Sequence, residues 1–251
     1  MNALDLTLQY FVSPRFVEAA MMTLAITVLS VLLGILVGLL VALVQESKIR
    51  ALQPLVILYL WLFRGTPVLF QIIFIFNVLP SFGIMFSAFT SAIIALSLNE
   101  GAYMSEIMRS GLQAVGKGQR SAGRALGLKD RQVMLYVVLP QALRIVIPPI
   151  GNQFIGMLKL SALVSVVAVE ELLLVANQSA SANFRYLEAL SAAGLWYLIF
   201  TTIFMLMQAR VERWAAGKRG RKQREERVSF AERLLGFGMK QRSMRRARRS
   251  F

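Results

Sequence analysis

The 251-residue chain contains no cysteine and no histidine, and only 16% of its residues are charged. Without cysteine there is no disulfide framework and no thiolate nucleophile; without histidine as well, the usual ligands of zinc, copper and haem are missing, which argues against a metalloenzyme. No nucleophile stands beside a base and an orienting group at a recognisable spacing, so a membrane enzyme ranks last and no catalytic or metal-binding residue is assigned. The shortage of charge has a counterpart. Hydrophobic residues make up 57% of the chain, against roughly 45–50% apolar and 25% charged in soluble domains, and that excess calls for lipid.

A cleavable signal peptide needs a basic leading region and a short apolar core, whereas here Asp5 precedes the first Lys or Arg. From Ala19 to Val44 there is no charged residue at all, and about 20 residues at 1.5 Å rise already cross the hydrocarbon core. Apolar segments are marked at about 17–44, 54–78, 86–108, 133–158 and 192–209. They predict an all-α integral membrane protein with about five transmembrane helices.

The loop 109–132 holds Arg109, Lys117, Arg120, Arg124, Lys129 and Arg131 against Asp130 alone, while the stretch 160–190 holds Arg185 against Glu170, Glu171 and Glu188. The positive-inside rule therefore puts 109–132 in the cytoplasm, the N-terminus outside and the C-terminus inside. The expected organisation is a periplasmic N-terminal segment 1–16, a transmembrane domain 17–214 and a basic cytoplasmic tail 215–251. No room remains for a nucleotide-binding domain of ordinary size.

Basicity sits at that end. Residues 210–251 carry a net +11 of the total +15, a concentration that fits a solvated tail or one touching anionic lipid headgroups and gives no ground for a nucleic-acid surface.

Gly111-Leu-Gln-Ala-Val-Gly116-Lys117-Gly118 nearly matches a phosphate-binding loop, but Gly118 stands where the magnesium-binding hydroxyl belongs and the run follows a membrane helix rather than a strand. The chain is thus expected to bind no ATP itself. Gly34 and Gly38 form a small-xxx-small pair suited to close helix packing. Between Gly118 and Leu128, Ala122, Ala125, Leu126 and Leu128 fall near one helical face while Arg120 and Arg124 share another. This predicts a short interfacial helix with one face available to a partner.

Several landmarks occur in order: Phe63-Arg64-Gly65-Thr66-Pro67 with Gln71; Leu96-Ser97-Leu98-Asn99 through Ala102-Tyr103, Glu106 and Arg109; Gly116-Lys117-Gly118-Gln119 through Ala125-Leu126-Gly127-Leu128; then Leu139-Pro140-Gln141-Ala142-Leu143-Arg144, Pro148-Pro149 and Asn152. Over about residues 15–215 this pattern resembles the membrane subunits of ATP-binding-cassette importers, specifically the polar amino acid uptake family. Two departures stand out. The family's Glu-Ala-Ala-x-x-x-Gly loop reads Ser121-Ala122-Gly123-Arg124-Ala125-Leu126-Gly127, and Lys159-Leu160-Ser161-Ala162-Leu163 lacks a Thr-Ser pair common among relatives.

The resemblance implies a type I importer-like permease fold in the bacterial inner membrane. It implies contact with ATP-binding-cassette ATPase subunits through Gln119, Ser121, Ala122, Gly123, Ala125, Leu126 and Gly127, with ATP and magnesium held on those partners and no cofactor on this chain. A second permease subunit, as homodimer or heterodimer, and an extracytoplasmic solute-binding protein complete the implied assembly. An ATP-independent channel or ion-coupled carrier is the alternative.

An ionisable group inside a membrane is a functional candidate by default. Glu100 lies about 21 Å along a helix from Phe86, placed either to pair with Arg64 or Lys159 or to meet a cationic group on a solute. Gly65 and Pro67 interrupt the second span, and Pro148 and Pro149 are expected to interrupt the fourth. The candidate solute pathway therefore comprises Arg64, Thr66, Gln71, Asn99, Glu100, Asn152, Lys159 and Ser161. Glu106 and Arg109, spaced i, i+3, read as a structural pair.

Overall fold

A computed structural model describes residues 2–47 and 49–215, so the basic tail beyond Ala215 and Lys48 lie outside the described residues. All regular structure among the described residues is helical. A short helix, α1 (Ala3–Val12), leads into α2 (Pro14–Glu46), which begins on the Ser13 side chain accepting from Phe16 N and carries proline in its first turn. Both features are strong helix starters, and they start the membrane helix inside the expected 1–16 segment.

The second span is broken. Helix α3 (Gln53–Gly65) and α4 (Val68–Ile73) meet at an angle of 107° when α4 is taken with the π turn Phe74–Val78 and the 3₁₀ turn Leu79–Phe82. Helix α5 (Ala88–Ala114) follows, then α6 (Lys117–Ala125), the single turn α7 (Asp130–Gln132), a π turn Val133–Val138 and α8 (Leu139–Leu160). A 3₁₀ stretch Ser161–Val167 leads to α9 (Leu172–Asn183), and α10 runs Tyr186–Ala215.

Three helical stretches are long and apolar enough to cross a membrane, Pro14–Glu46, Asp130–Val167 and Tyr186–Ala215, and the bent pair Arg50–Gly65 plus Val68–Phe82 makes a fourth. Helix α5 lies outside that set although its 27 residues reach about 40 Å. Its polar and small residues Ser91, Ser97, Asn99, Glu100, Gly101 and Ser105 are buried, because α5 is sheathed by protein and needs less apolar surface toward lipid.

The residues Met1–Gln208 form one compact unit, organised around α2 against α5. Helix α2 sorts its faces by size: Ala20, Thr23, Thr27, Ser30, Gly34 and Gly38 are buried, while Leu29, Leu32, Leu36, Leu40 and Leu43 are exposed. Small residues let two backbones approach, and van der Waals contact replaces the hydrophobic effect that lipid cannot provide. A Cβ on Gly38 would stand 2.5 Å from Met104 Cβ and 2.9 Å from Ser105 N, so the expected glycine pair seats α5. Apolar packing continues through Ile26, Ile72, Leu96, Met104 and Met157.

Pro148 and Pro149 do not interrupt the fourth span; α8 is continuous through both. Gln208 of α10 donates Nε2 to Pro148 O at 2.7 Å, tying the proline turn of α8 to α10.

Candidate functional site

Proline and glycine dictate the break between α3 and α4. Pro67 has no N–H, so Phe63 O loses the partner a continued helix would supply, and the carbonyls around the break must find other donors away from water. Each does. Thr66 Oγ1 donates to Leu62 O at 2.7 Å. Gln71 Nε2 reaches Phe63 O at 3.0 Å, Thr66 O at 3.1 Å and Thr66 Oγ1 at 2.9 Å. From α5, Asn99 Nδ2 donates to Phe63 O at 3.0 Å and to Gln71 Oε1 at 3.1 Å.

Beside the break lies a cavity of about 290 Å³ lined by Thr66, Pro67, Val68, Asn99, Glu100, Tyr103, Gln153, Gly156, Met157 and Leu160. Glu100 is the one charged side chain in that lining. Its residue is only 2% exposed, and Oε1 has no hydrogen-bond partner among the described residues, although Gln153 bonds to the carboxyl group from α8. A buried polar atom left unpaired is costly, and the residue that carries it lines the cavity.

The expected pairing of Glu100 with Arg64 or Lys159 does not form. Arg64 lies 3.6 Å from Glu106 Oε2 and 5.9 Å from the centroid of the Tyr103 ring. Glu106 also takes Arg109 at 3.8 Å, as the i, i+3 spacing anticipated, and accepts from Gln45 Nε2 at 3.3 Å. Arg64 and Tyr103 line a separate groove with Leu60, Trp61 and Gly65.

Of the eight pathway candidates, Thr66, Asn99 and Glu100 share the cavity, and Gln71 stands behind its wall. Asn152 and Lys159 are exposed and lie outside the lining. Ser161 is buried and donates Oγ to Leu158 O at 2.8 Å. Tyr103 was visible in the sequence as part of a longer motif, but Gln153, Gly156, Met157 and Leu160 carried no signal, being ordinary residues brought in by the rotation of α8.

The expected interfacial helix is α6. It begins at Lys117 and is closed by Gly127, whose φ of 80° suits glycine at a left-handed helix end, with Gly127 N donating to Arg124 O at 2.9 Å and Leu128 N to Gly123 O at 3.2 Å. Its faces differ in part from the expected division. Ala122, Ala125 and Leu126 are exposed together, Leu126 at 82%, whereas Leu128 packs inward on the cluster of Val115, Val133, Val138 and Ala142. Arg120 turns toward its own chain, donating Nη2 to Leu112 O at 3.0 Å, while Arg124 stays outside with Asp130 at 2.7 Å. Gly123 is buried, and a Cβ there would stand 3.1 Å from Val133 Cγ2. Gln119, Ser121 and Gly127 are exposed beside the free face.

Known proteins resemble this chain over most of its length. Residues 34–217 match the family described as "Binding-protein-dependent transport system inner membrane component". The arginine transport system permease protein ArgU of Corynebacterium glutamicum is 38% identical over 221 residues, covering 81% of this chain and 69% of that protein. The L-cystine transport system permease protein TcyB of Bacillus subtilis is 38% identical over 192 residues, covering 76% of this chain and 82% of that protein. A solved structure described as "Crystal structure of an amino acid ABC transporter with histidines" superposes with a TM-score of 0.76 at 40% identity, covering 80% of this chain and 94% of that one.

Proposed function

This chain belongs to the family of binding-protein-dependent transport system inner membrane components, and from that premise we propose that it is the membrane-spanning subunit of an ATP-driven importer carrying a polar amino acid or a close derivative. It is a transport subunit and performs no covalent chemistry; hydrolysis of ATP, with its magnesium, belongs to separate ATPase subunits. Family membership weighs against a channel or ion-coupled carrier working alone. Relatives named for arginine and L-cystine transport support the solute class.

The observation that carries the reading is Glu100, a buried carboxylate in the cavity lining whose Oε1 has no hydrogen-bond partner among the described residues. A volume of about 290 Å³ is at the small end of the roughly 300–1,000 Å³ usual for ligand pockets, the right scale for a single amino acid. Glu100 would take the solute's ammonium or guanidinium, and the hydroxyl and amide groups of Thr66, Asn99 and Gln153 would hold its polar remainder. Lys159, outside the lining, leaves the cavity without a cation of its own and so favours solutes with a positive group.

Coupling runs through the exposed Ala122, Ala125 and Leu126 face of α6, which an ATPase groove would cover. Closure of two ATPase subunits would push α6 and shift the spans between outward and inward access. The assembly contains a second permease copy or relative and is fed by a solute-binding protein outside. The loop charges support an N-terminus outside, a C-terminus inside and the segmentation into 1–16, 17–214 and 215–251, with the basic tail near anionic lipid.

The test is uptake by the assembled importer. A hydrogen bond to a charged group contributes about 1.5–3 kcal/mol, so Glu100→Gln at equal membrane abundance is expected to raise KM about 10- to 100-fold. Parent kinetics for this variant would remove Glu100 from the pathway.

A further inference from the structure

We propose that Gln71 is a positioning residue for solute recognition: its amide clamps the broken second span so that Thr66, Pro67 and Val68 form one wall of the Glu100 cavity. The role rests on reading that cavity as the solute site. The sequence placed Gln71 among the candidate solute-pathway residues, but the structure puts it behind the lining, 5% exposed and fully engaged with the protein.

The chemistry of the break makes a clamp necessary. A span bent by 107° exposes the last carbonyls of α3, and Pro67 removes the one backbone donor that would have met Phe63 O. In a lipid-surrounded interior those carbonyls need protein donors. Gln71 meets Phe63 O and Thr66 O from the first turns of α4, so one side chain ties the end of α3 to the start of α4. Its carbonyl oxygen is in turn fixed by Asn99 Nδ2, the neighbour of Glu100 on α5. The angle of the break and the position of the cavity's carboxylate are thereby linked through a single amide pair.

Hydrogen bonding, not volume, is the property that the clamp requires. Gln71→Met and Gln71→Leu introduce an apolar side chain of similar size and remove every donor, leaving Phe63 O with Asn99 alone and Thr66 O without its amide donor. The wall should then relax away from Glu100 while the fold persists.

Because the chain has no native cysteine, Val68→Cys gives a unique thiol in the cavity lining for measuring the wall directly. In the complete importer in proteoliposomes, either Gln71 variant combined with Val68→Cys is expected to change the rate of modification by a small methanethiosulfonate reagent at least about threefold relative to Val68→Cys alone. In uptake assays Gln71→Met is expected to raise KM about tenfold with a smaller effect on maximal rate. If neither labelling nor KM changes in Gln71→Met or Gln71→Leu, the clamp is overturned. If labelling changes and KM does not, the clamp's role in recognition is overturned, and Glu100→Gln separates the causes: a raised KM there keeps the cavity as the solute site, and an unchanged one removes it. Should Gln71→Leu fail to reach the membrane, Gln71→Met carries both measurements.

Discussion

Gly34 of α2 faces Glu100 of α5 so closely that a Cβ on Gly34 would stand 2.7 Å from Glu100 Cγ and 2.8 Å from its Cβ. The hydrogen in place of a side chain lets the carboxylate-bearing turn of α5 sit against α2 while Glu100 lines the cavity. Gly34→Ala must therefore displace the root of Glu100, which cannot swing away as a flexible chain end would. Overpacking of this kind costs about 1–3 kcal/mol. The expected outcome is a lower Tm in detergent together with a raised KM for uptake. A control at Gly118, where a Cβ would meet nothing within 4 Å, is expected to leave Tm unchanged.

At the end of α6, Gly127 adopts φ 80°, a conformation that costs an ordinary L-residue about 1–2 kcal/mol. Gly127→Val is expected to unravel the last turn of α6 and uncouple the importer, with ATP hydrolysis continuing while uptake falls at least about tenfold. Gly127→Asn, a residue tolerant of this region, should retain most coupling. Simultaneous measurement of phosphate release and solute accumulation in proteoliposomes checks both, and undiminished uptake by Gly127→Val would misplace the docking contact.

Leu126 is the most exposed large apolar residue of the α6 region, so replacing it should leave the fold intact and weaken only a partner contact. Leu126→Asp is expected to keep Tm within about a degree, since surface changes rarely exceed about 0.5 kcal/mol, but to reduce copurification of the ATPase subunit. Gly123→Leu should act differently. Its side chain would meet Val133 and Val137 of the chain itself, prying α6 from its seat and lowering Tm.

Glu171 offers a pH test outside the membrane spans. Burial raises its pKa, opposed by hydrogen bonds from backbone N–H groups and from Tyr197. A carboxyl with a raised folded pKa contributes stability that is present below its unfolded pKa and lost as pH rises through the folded value. Stability should therefore increase as pH falls through the raised folded pKa toward the ordinary glutamate value of about 4.3. Glu171→Gln, which carries no charge at any of these pH values, should show a weaker pH dependence of Tm over that window. Parallel curves for the two proteins would exclude Glu171 as the source.

Local chemistry was legible without tertiary information. Gly65 and Pro67 announced the break in the second span, Gly34 and Gly38 announced a close helix contact, and the alternation between Gly118 and Leu128 announced α6. The division of faces on α6 was less legible, because the Ala and Leu positions share a face only while the helix lasts. It ends at Ala125, and Gly127 then turns Leu128 back to the protein.

Arg64 and Glu100 illustrate the limit. Both are ionisable groups of adjacent spans, and sequence alone permits them to pair, yet the salt bridge goes to Glu106, two turns from Glu100 along α5. Likewise Asn152 and Lys159 follow the prolines on the same helix as Gln153 and Gly156 do, but only the latter pair lines the cavity.

By itself, then, the sequence determined that the chain is a helical membrane protein, that its second span breaks at Gly65 and Pro67 and which loop is basic, since hydropathy, proline and charge act over a few residues; it did not determine that α8 runs unbroken through Pro148 and Pro149. The tertiary structure alone decided which polar groups meet. That depends on how each helix is rotated about its axis, and the rotation is set by contacts between residues far apart in the chain: Gly34 on Glu100, Gly38 on Met104, and the amides of Gln71 and Asn99 on the carbonyls that Pro67 left without a partner.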